Sequence, residues 1–313
     1  MIAVARQYPS SVSIRDVGPR DGLQPEAPVL AAERIRLIEA LQDAGVRRIE
    51  VAAFVSPKAV PAMAGADEVL AGISRRAGTT YAALVPNLKG ARAALATGVD
   101  ELTVTISASE TYNQRNVNMS TEQSVGAIGT IVDAARDANS GAVAVDAVIS
   151  CAFGSPYEGD MVPAEVVALA RQLGDLGVTT VTYADTTGMA TPRRIDDLID
   201  ELELAPDGAD GVGLHLHDTR GAALVNAYAA LQRGITRFDT CVGGLGGSPF
   251  AHGAGGNLAT EALVAVLDDL GIETGIDLDR LLAAATLIGE LVGRSVSSGV
   301  AHHGPRLQGP GPD

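Results

Sequence analysis

The side chains best suited to chemistry in this 313-residue chain fall in a few short stretches. "HLHD", His215 to Asp218, holds two of its five histidines, one residue apart and followed at once by a carboxylate. Successive side chains of a β-strand leave opposite faces, so His215 and His217 share one face and Leu216 takes the other. Two such imidazoles can bind one divalent cation, provided a carboxylate from elsewhere, such as Asp21 in "GPRDGLQPE", completes the set. The same spacing also suits two histidines hydrogen-bonded to polar neighbours, because H-x-H arises often by chance. Asp218 points away from the pair and suits the cap of the helical stretch that follows, "DTRGAALVN". Glu50 lies inside the apolar run "IEVAAF", where a carboxylate must be paired, with Arg20 or a histidine, or used in catalysis. Asp21 before Gly22 fits a turn as well as a site. Asp185 in "YADTTG" fits a helix cap, although its place at the end of a β-rich run favours a site.

These residues need elements to position them. Eight β-rich runs recur along the chain, at 12–17, 47–54, 79–86, 101–107, 142–151, 179–185, 212–218 and 237–243. Between them lie stretches with apolar residues at helical spacing, such as 31–45, 162–177 and 221–234. Several of these stretches end in a glycine suited to a helix C-cap: Gly45, Gly98, Gly177, Gly234 and Gly271. Alternating strands and helices imply parallel strands joined by right-handed crossovers. Eight such units predict a (β/α)8 barrel, a TIM barrel, where a doubly wound sheet would more often have five to seven strands. The expected organisation is an N-terminal extension over 1–11 and one barrel domain over 12–275. A C-terminal helical segment over 276–300, with a helix at about 277–293, and a disordered tail over 301–313 follow.

The C-terminal ends of barrel strands form the catalytic face. Arg20, Asp21 and Gln24 follow strand 1, Glu50 lies on strand 2 and Asn87 follows strand 3. Glu110, Arg115, Asn116 and Asn118 follow strand 4, Asp185 and Thr186 end strand 6, and both histidines end strand 7. Strand 1 neighbours strand 8 in a closed barrel and lies near strand 7, which brings Asp21 within reach of the histidines. The strand bodies read as mostly apolar, with polar groups gathered at one end. After strand 8 comes "GGLGGSPFAHGAGGN", with seven glycines in fifteen residues. It lacks both the Gly-Lys-Ser/Thr of a P-loop and the setting of a dinucleotide fingerprint. It reads as a mobile lid that presents Ser248, His252 and Asn257 to the barrel mouth, or as a flexible connector.

Composition narrows the class. A net charge of −15 argues against a nucleic-acid surface, and no apolar run reaches the length of a membrane span. The N-terminus has no signal-peptide layout, so a cytoplasmic protein is expected. Cys151 and Cys241, the only cysteines, are too few for a disulfide framework and read as reduced core thiols.

Taken together the motifs resemble the 3-hydroxy-3-methylglutaryl-CoA (HMG-CoA) lyase family of metal-dependent barrel lyases. The matching stretches are "VGPRDGLQ", "FVSPKAVPAM", "PNLKGARAAL", "SCAFGSPYEG", "ADTTGMATP", "HLHDTRGAALVNAYAALQRG" and "GGLGGSPFAHGAGGNLATE". They run in order over 17–261, and "SSGVA" at 297–301 extends the likeness. Leu23 stands where the related condensing synthases have Glu, and their long C-terminal regulatory region has no counterpart here. The resemblance implies Mg²⁺ or Mn²⁺ on Asp21, His215, His217 and Asn257, with Arg20 stabilising a thioester enolate and Glu50 and Asp185 as acid/base or supporting groups. It implies a small-molecule CoA thioester as substrate, with Gln24, Asn116 and Asn118 as candidate contacts to the cofactor portion, and a homodimer. The reaction implied is a retro-Claisen cleavage to acetyl-CoA and acetoacetate. The chain departs from the family at Ser248, where the lid motif "GGLGGCP" has a cysteine assigned as proton donor. A serine hydroxyl is a poor general acid unless it relays a proton through water or His217. That departure leaves an alternative: a lyase or condensing enzyme for a related 3-hydroxyacyl- or malyl-type CoA thioester. Ala27 and the pair Ala52–Ala53 also depart from residues that many relatives carry. A catalytically lapsed barrel is a third reading, against which stand four retained ligand positions.

Overall fold

The computed structural model describes residues 8–138, 143–204, 211–247 and 255–306. Eight parallel strands close on themselves in sequence order. They are β1 (Ser13–Asp16), β2 (Arg48–Ala53), β3 (Thr80–Leu84), β4 (Glu101–Ser107), β5 (Ala144–Ser150), β6 (Thr180–Asp185), β7 (Val212–Leu216) and β8 (Arg237–Thr240). Helices alternate with them on the outside, and their apolar faces pack on the outward-facing strand residues, for example Leu37, Leu41, Val167, Leu173, Ile195 and Leu267. The barrel expected from the alternation is therefore present, with each strand inside or at the edge of its predicted span. The five glycines read as helix stops all take positive φ, as residues beyond a helix C-cap commonly do.

The helix Leu278–Val292 packs against the first helix of the barrel, Ala31–Asp43, and on the turn after β8, so it covers the seam between the last and first units. It matches the helix expected at about 277–293. The tail expected to be disordered from residue 301 begins inside a short helix, Gly299–His303, which packs on Thr260–Asp269. Ser298 caps this helix, its hydroxyl accepting from Ala301 N at 3.3 Å. Residues 307–313 lie outside the described residues. Among the described residues no helix is long and apolar enough to cross a membrane.

The strand bodies, expected to be mostly apolar, are polar on the inside of the barrel. Arg15 of β1 spans the barrel interior to Glu101 of β4 at 2.8 Å and Asp146 of β5 at 2.8 Å, while its other edge grips Asp239 of β8. Thr180 and Thr182 of β6 donate to Asp146, and Arg48 of β2 pairs with Glu101. All four charged groups centred on Arg15 are buried. A cluster of this kind holds its members by pairing and hydrogen bonding, since any one left alone in that interior would be strongly destabilising.

Two local irregularities shape the mouth. After β1 the chain makes a single π-helical turn, Gly18–Gly22, in which Gly22 N donates to Val17 O and Leu23 N to Gly18 O, both at 3.1 Å. A side chain at Gly22 would meet Cys241 Sγ at 2.5 Å, so glycine lets this turn lie against the end of β8. On β2 the register with β3 shifts between Glu50 and Ala52, a bulge beside the Glu50 side chain.

Candidate active site at the barrel mouth

The π-helical turn puts Arg20 and Asp21 next to each other at the end of β1. Arg20 bridges two carboxylates: its Nη1 donates to Asp21 Oδ1 at 2.6 Å, and Nε and Nη2 both reach Glu50 Oε2. The partner expected for Glu50 is thus Arg20. Burial opposes the Arg20 charge, but Glu50 and Asp21 outweigh it and raise its pKa further.

His215 is the penultimate residue of β7, and His217 follows just beyond the strand in an isolated antiparallel bridge with Asn257. Strand 7 is therefore shorter than the span 212–218 read from the sequence, because the returning arm of the glycine run takes over its hydrogen bonds: Leu258 N donates to Leu216 O and Asp218 N to Gly256 O, each at 2.8 Å. Asp218 is exposed and accepts from Ala223 N at 2.9 Å, bracing the start of the helix Ala223–Gln232, although the cap position expected for it belongs to Ala222.

The two imidazoles face each other through Nε2 at 3.2 Å. His217 Nδ1 faces the Gly255 carbonyl at 3.0 Å, and His215 Nδ1 faces Asp239 Oδ2 at 3.3 Å. A carbonyl and a carboxylate only accept, so both Nδ1 atoms carry the proton and both Nε2 lone pairs point at the same spot. Two lone pairs opposed in a buried site need something positive between them. Ligands at neighbouring corners of an octahedral cation, with bonds of about 2.1 Å, stand about 3 Å apart. Asp21 completes the group: one ligand atom from each of Asp21, His215 and His217 lies within 4.8 Å of the others.

Asn257 offers a fourth donor atom, its amide oxygen. Its Nδ2 donates to Asp21 Oδ2 at 2.6 Å and to Leu245 O at 3.0 Å, which leaves the buried Oδ1 without a partner. Glu50 Oε1 and Asp185 Oδ2 are likewise buried and unpartnered. Buried polar atoms are nearly always satisfied, so an orphaned oxygen on the side chain that bonds Asp21 marks a place for a ligand. The donor set of two imidazoles, one carboxylate and one amide oxygen fits a divalent cation.

The electrostatics agree with that geometry. Burial would raise the Asp21 carboxyl, but Arg20, both histidines and the Asn257 amide hold it below the usual range. Burial and the neighbouring His215 push His217 down to about 4. His215 goes the other way: burial lowers it, and the Asp239 hydrogen bond with the charges of Asp21 and Asp239 raises it more. Asp185, at the end of β6, is lifted by burial to about 7, even though Oδ1 accepts from Ala190 N at 2.9 Å. It caps no helix; Thr191 fills that role for Pro192–Leu202.

Other expected residues stand apart from this cluster. Asn87 caps the helix Leu88–Ala96, accepting from Gly90 N at 3.0 Å. Asn118 takes the left-handed conformation that ends the helix Glu110–Val117, and Glu110 accepts from Thr121 N. Arg115 stacks on Tyr157 at 4.5 Å, tying the helix Glu110–Val117 after β4 to the loop after β5. Among the described residues no hydrogen bond joins the side chains of Gln24, Asn116 or Asn118 to the cluster around Asp21. Ser248 and His252 lie outside the described residues. The sequence reading missed Asp239 and Arg15. The signal for Asp239 was there, a carboxylate inside the short strand "RFDT", the same kind of signal that singled out Glu50.

Such a structure defines a class: closed parallel β/α barrels that gather a candidate divalent-cation site at the C-terminal ends of strands 1 and 7. The HMGL-like family model matches residues 11–288, and the chain belongs to that family. It is 43% identical over 292 residues to a hydroxymethylglutaryl-CoA lyase of Bacillus subtilis, covering 93% of this chain and 96% of the relative. It is 45% identical over 296 residues to the 3-hydroxy-3-isohexenylglutaryl-CoA/hydroxymethylglutaryl-CoA lyase of Pseudomonas aeruginosa, covering 94% and 97%. Among solved structures, an HMG-CoA lyase from Acinetobacter baumannii in complex with coenzyme A and 3-methylmalate superposes with a TM-score of 0.91 at 38% identity, covering 97% of this chain and 98% of that one.

Proposed function

We propose that this protein is a divalent-metal-dependent HMG-CoA lyase, cleaving the C2–C3 bond of 3-hydroxy-3-methylglutaryl-CoA to give acetyl-CoA and acetoacetate. The observation that carries the reading is the convergence of the two Nε2 atoms and Asp21 on one spot, with the orphaned Asn257 Oδ1 on the side chain that bonds Asp21. Asp21, His215, His217 and Asn257 would hold the cation. Mg²⁺ or Mn²⁺ there supplies Lewis acidity at the C3 hydroxyl and a template for the substrate's oxygens.

The chain's own groups divide the rest of the work. Asp185, with a free oxygen and a pKa near neutrality, takes the C3 hydroxyl proton as the C2–C3 bond breaks. The electron pair passes to the thioester as an enolate, which Arg20 meets with a charge already fixed in place by Glu50 and Asp21. A proton returned to C2, with Ser248 as relay, gives acetyl-CoA. Gln24, Asn116 and Asn118 are assigned to the CoA portion, a homodimer to the assembly and a reducing cytoplasmic compartment to the setting. The two buried free thiols, Cys151 and Cys241, agree with that setting.

Release of acetyl-CoA from HMG-CoA tests the reading. It is expected to require Mg²⁺ or Mn²⁺ and to be abolished by His215→Ala and by Asp21→Asn. Full activity after stripping with a chelator would overturn it. Ser248→Cys, restoring a thiol acid, is expected to raise kcat on HMG-CoA by roughly tenfold or more. No gain, together with a higher kcat/KM on the isohexenyl homologue, would move the substrate towards that of the Pseudomonas relative.

A further inference from the structure

We infer that Asp239 is a positioning residue for His215, and that Arg15, buried in the barrel floor, locks Asp239 in that task. The inference rests on the reading of His215 Nε2 as a cation ligand, but its geometry lies below the cation site and can be measured without a cation.

His215 and Asp239 are register partners on β7 and β8. Asp239 Oδ1 accepts Arg15 Nε at 2.8 Å and Oδ2 accepts Arg15 Nη2 at 2.7 Å, a two-pronged grip that fixes the plane of the carboxylate. The remaining lone pair of Oδ2 faces His215 Nδ1 at 3.3 Å. Arg15 cannot swivel to release it. Its Nη1 is taken by Glu101 at 2.8 Å and Thr103 at 3.4 Å, and its Nη2 also lies 2.8 Å from Asp146, which two threonines of β6 hold in turn. The guanidinium is only 2% exposed, so water offers no alternative partner.

The consequence for His215 is specific. A carboxylate kept ionised by Arg15 can only accept, so His215 must place its proton on Nδ1 and direct the Nε2 lone pair up to the spot it shares with His217 and Asp21. Were the floor mere filler, apolar side chains of the usual barrel layers would occupy it and would leave the imidazole free to choose either tautomer. Asp239→Asn discriminates. Arg15 would keep the amide oxygen for its own two donors, leaving the NH₂ facing His215. The imidazole would then accept at Nδ1 and carry its proton on Nε2, where a ligand's lone pair is needed.

The test is long-range ¹H–¹⁵N NMR of ¹⁵N-histidine-labelled, metal-free full-length protein at alkaline pH, paired with Mn²⁺ titration of the same samples. Wild type is expected to show His215 protonated at Nδ1; a wild-type signal from the Nε2–H tautomer overturns the inference without any variant. Asp239→Asn is expected to switch the tautomer and to weaken Mn²⁺ binding by roughly 10- to 100-fold. Asp239→Glu, which keeps an accepting carboxylate, should recover part of that affinity. An unchanged tautomer in a folded Asp239→Asn protein overturns the inference. A switched tautomer with unchanged Mn²⁺ affinity upholds the positioning and overturns the assignment of His215 as a ligand.

Discussion

Asp185 is a residue in the mouth whose charge is open to change near neutrality. Burial lifts its carboxyl to about 7, and Oδ2 has no donor to hold the ionised form. A base must be ionised to act, so cleavage should fall as pH drops through the pKa of Asp185. A cation bound nearby favours the anion, which places that limb at or somewhat below about 7. Replacing Asp185 with Asn should lower kcat by about 100-fold or more and remove the acidic limb from the kcat profile. A limb that survives the substitution would assign it to another group. For stability the sign is opposite. A carboxyl raised in the folded state binds a proton there that the unfolded chain has lost, so its contribution improves as pH falls from about 7 towards the ordinary Asp range. At this scale the sequence was most legible where a charge interrupted an apolar run or ended a strand: Glu50, Asp185 and the histidines. It was least legible where side-chain chemistry served only the backbone, as at Asn87 and Asn118, which the sequence reading placed among strand-end site residues and the fold uses to begin and end helices.

At the scale of elements, the two arms of the glycine run do more than connect. The outgoing arm packs so closely on the returning one that a Cβ on Gly256 would sit 1.9 Å from the Gly244 carbonyl oxygen. Gly246, at φ +106°, would place its Cβ 2.4 Å from Asn257 Nδ2 and 3.1 Å from Asp21 Oδ2. These glycines let backbone lie directly on the Asp21–Asn257 pair, so the described arms of the run build the wall of the candidate site. Gly246→Ala should therefore weaken Mn²⁺ binding by about tenfold or more and destabilise the fold by about 1–3 kcal/mol. Gly126→Ala is the contrast. That glycine lies within the helix Thr121–Arg136 with open space around its Cβ position, and the substitution should stabilise by about 0.5–1 kcal/mol and leave Mn²⁺ binding alone. Urea midpoints and Mn²⁺ titration on the two variants check both halves; equal effects would mean that the glycines near Asn257 have no special role. Glycine density in the sequence pointed to this region, but it could not separate a flexible connector from close packing, because that depends on which backbone lies opposite each Cα.

Across the whole molecule, alternation of strand and helix made the barrel legible, since that period is local and repeats eight times. The ionic floor was not legible, because its contacts join residues such as Arg15 and Glu101 that are 86 positions apart and meet only once the sheet has closed. That floor links stability to the site above it. Arg15 pairs with carboxylates from three strands, and it holds Asp239 well below the ordinary range against the opposing effect of burial. Arg15→Met keeps much of the volume but leaves those carboxylates buried without their central cation. The loss at neutral pH should be about 3–5 kcal/mol. Its pH dependence identifies the cause. In wild type a carboxyl held low contributes stability that is present above the unfolded pKa of about 4 and is lost only in more acid solution. In the variant Asp239, buried without Arg15, would be pushed up by that burial, so the folded form gains a proton, and stability, as pH falls from about 8 to about 5. The gap between the two proteins should therefore narrow on acidification over that range, measured as urea midpoints at several pH values. A gap that stays constant would mean that lost packing, and not unpaired charge, accounts for the defect, and the floor would then have no electrostatic hold on Asp239 or on the histidine above it.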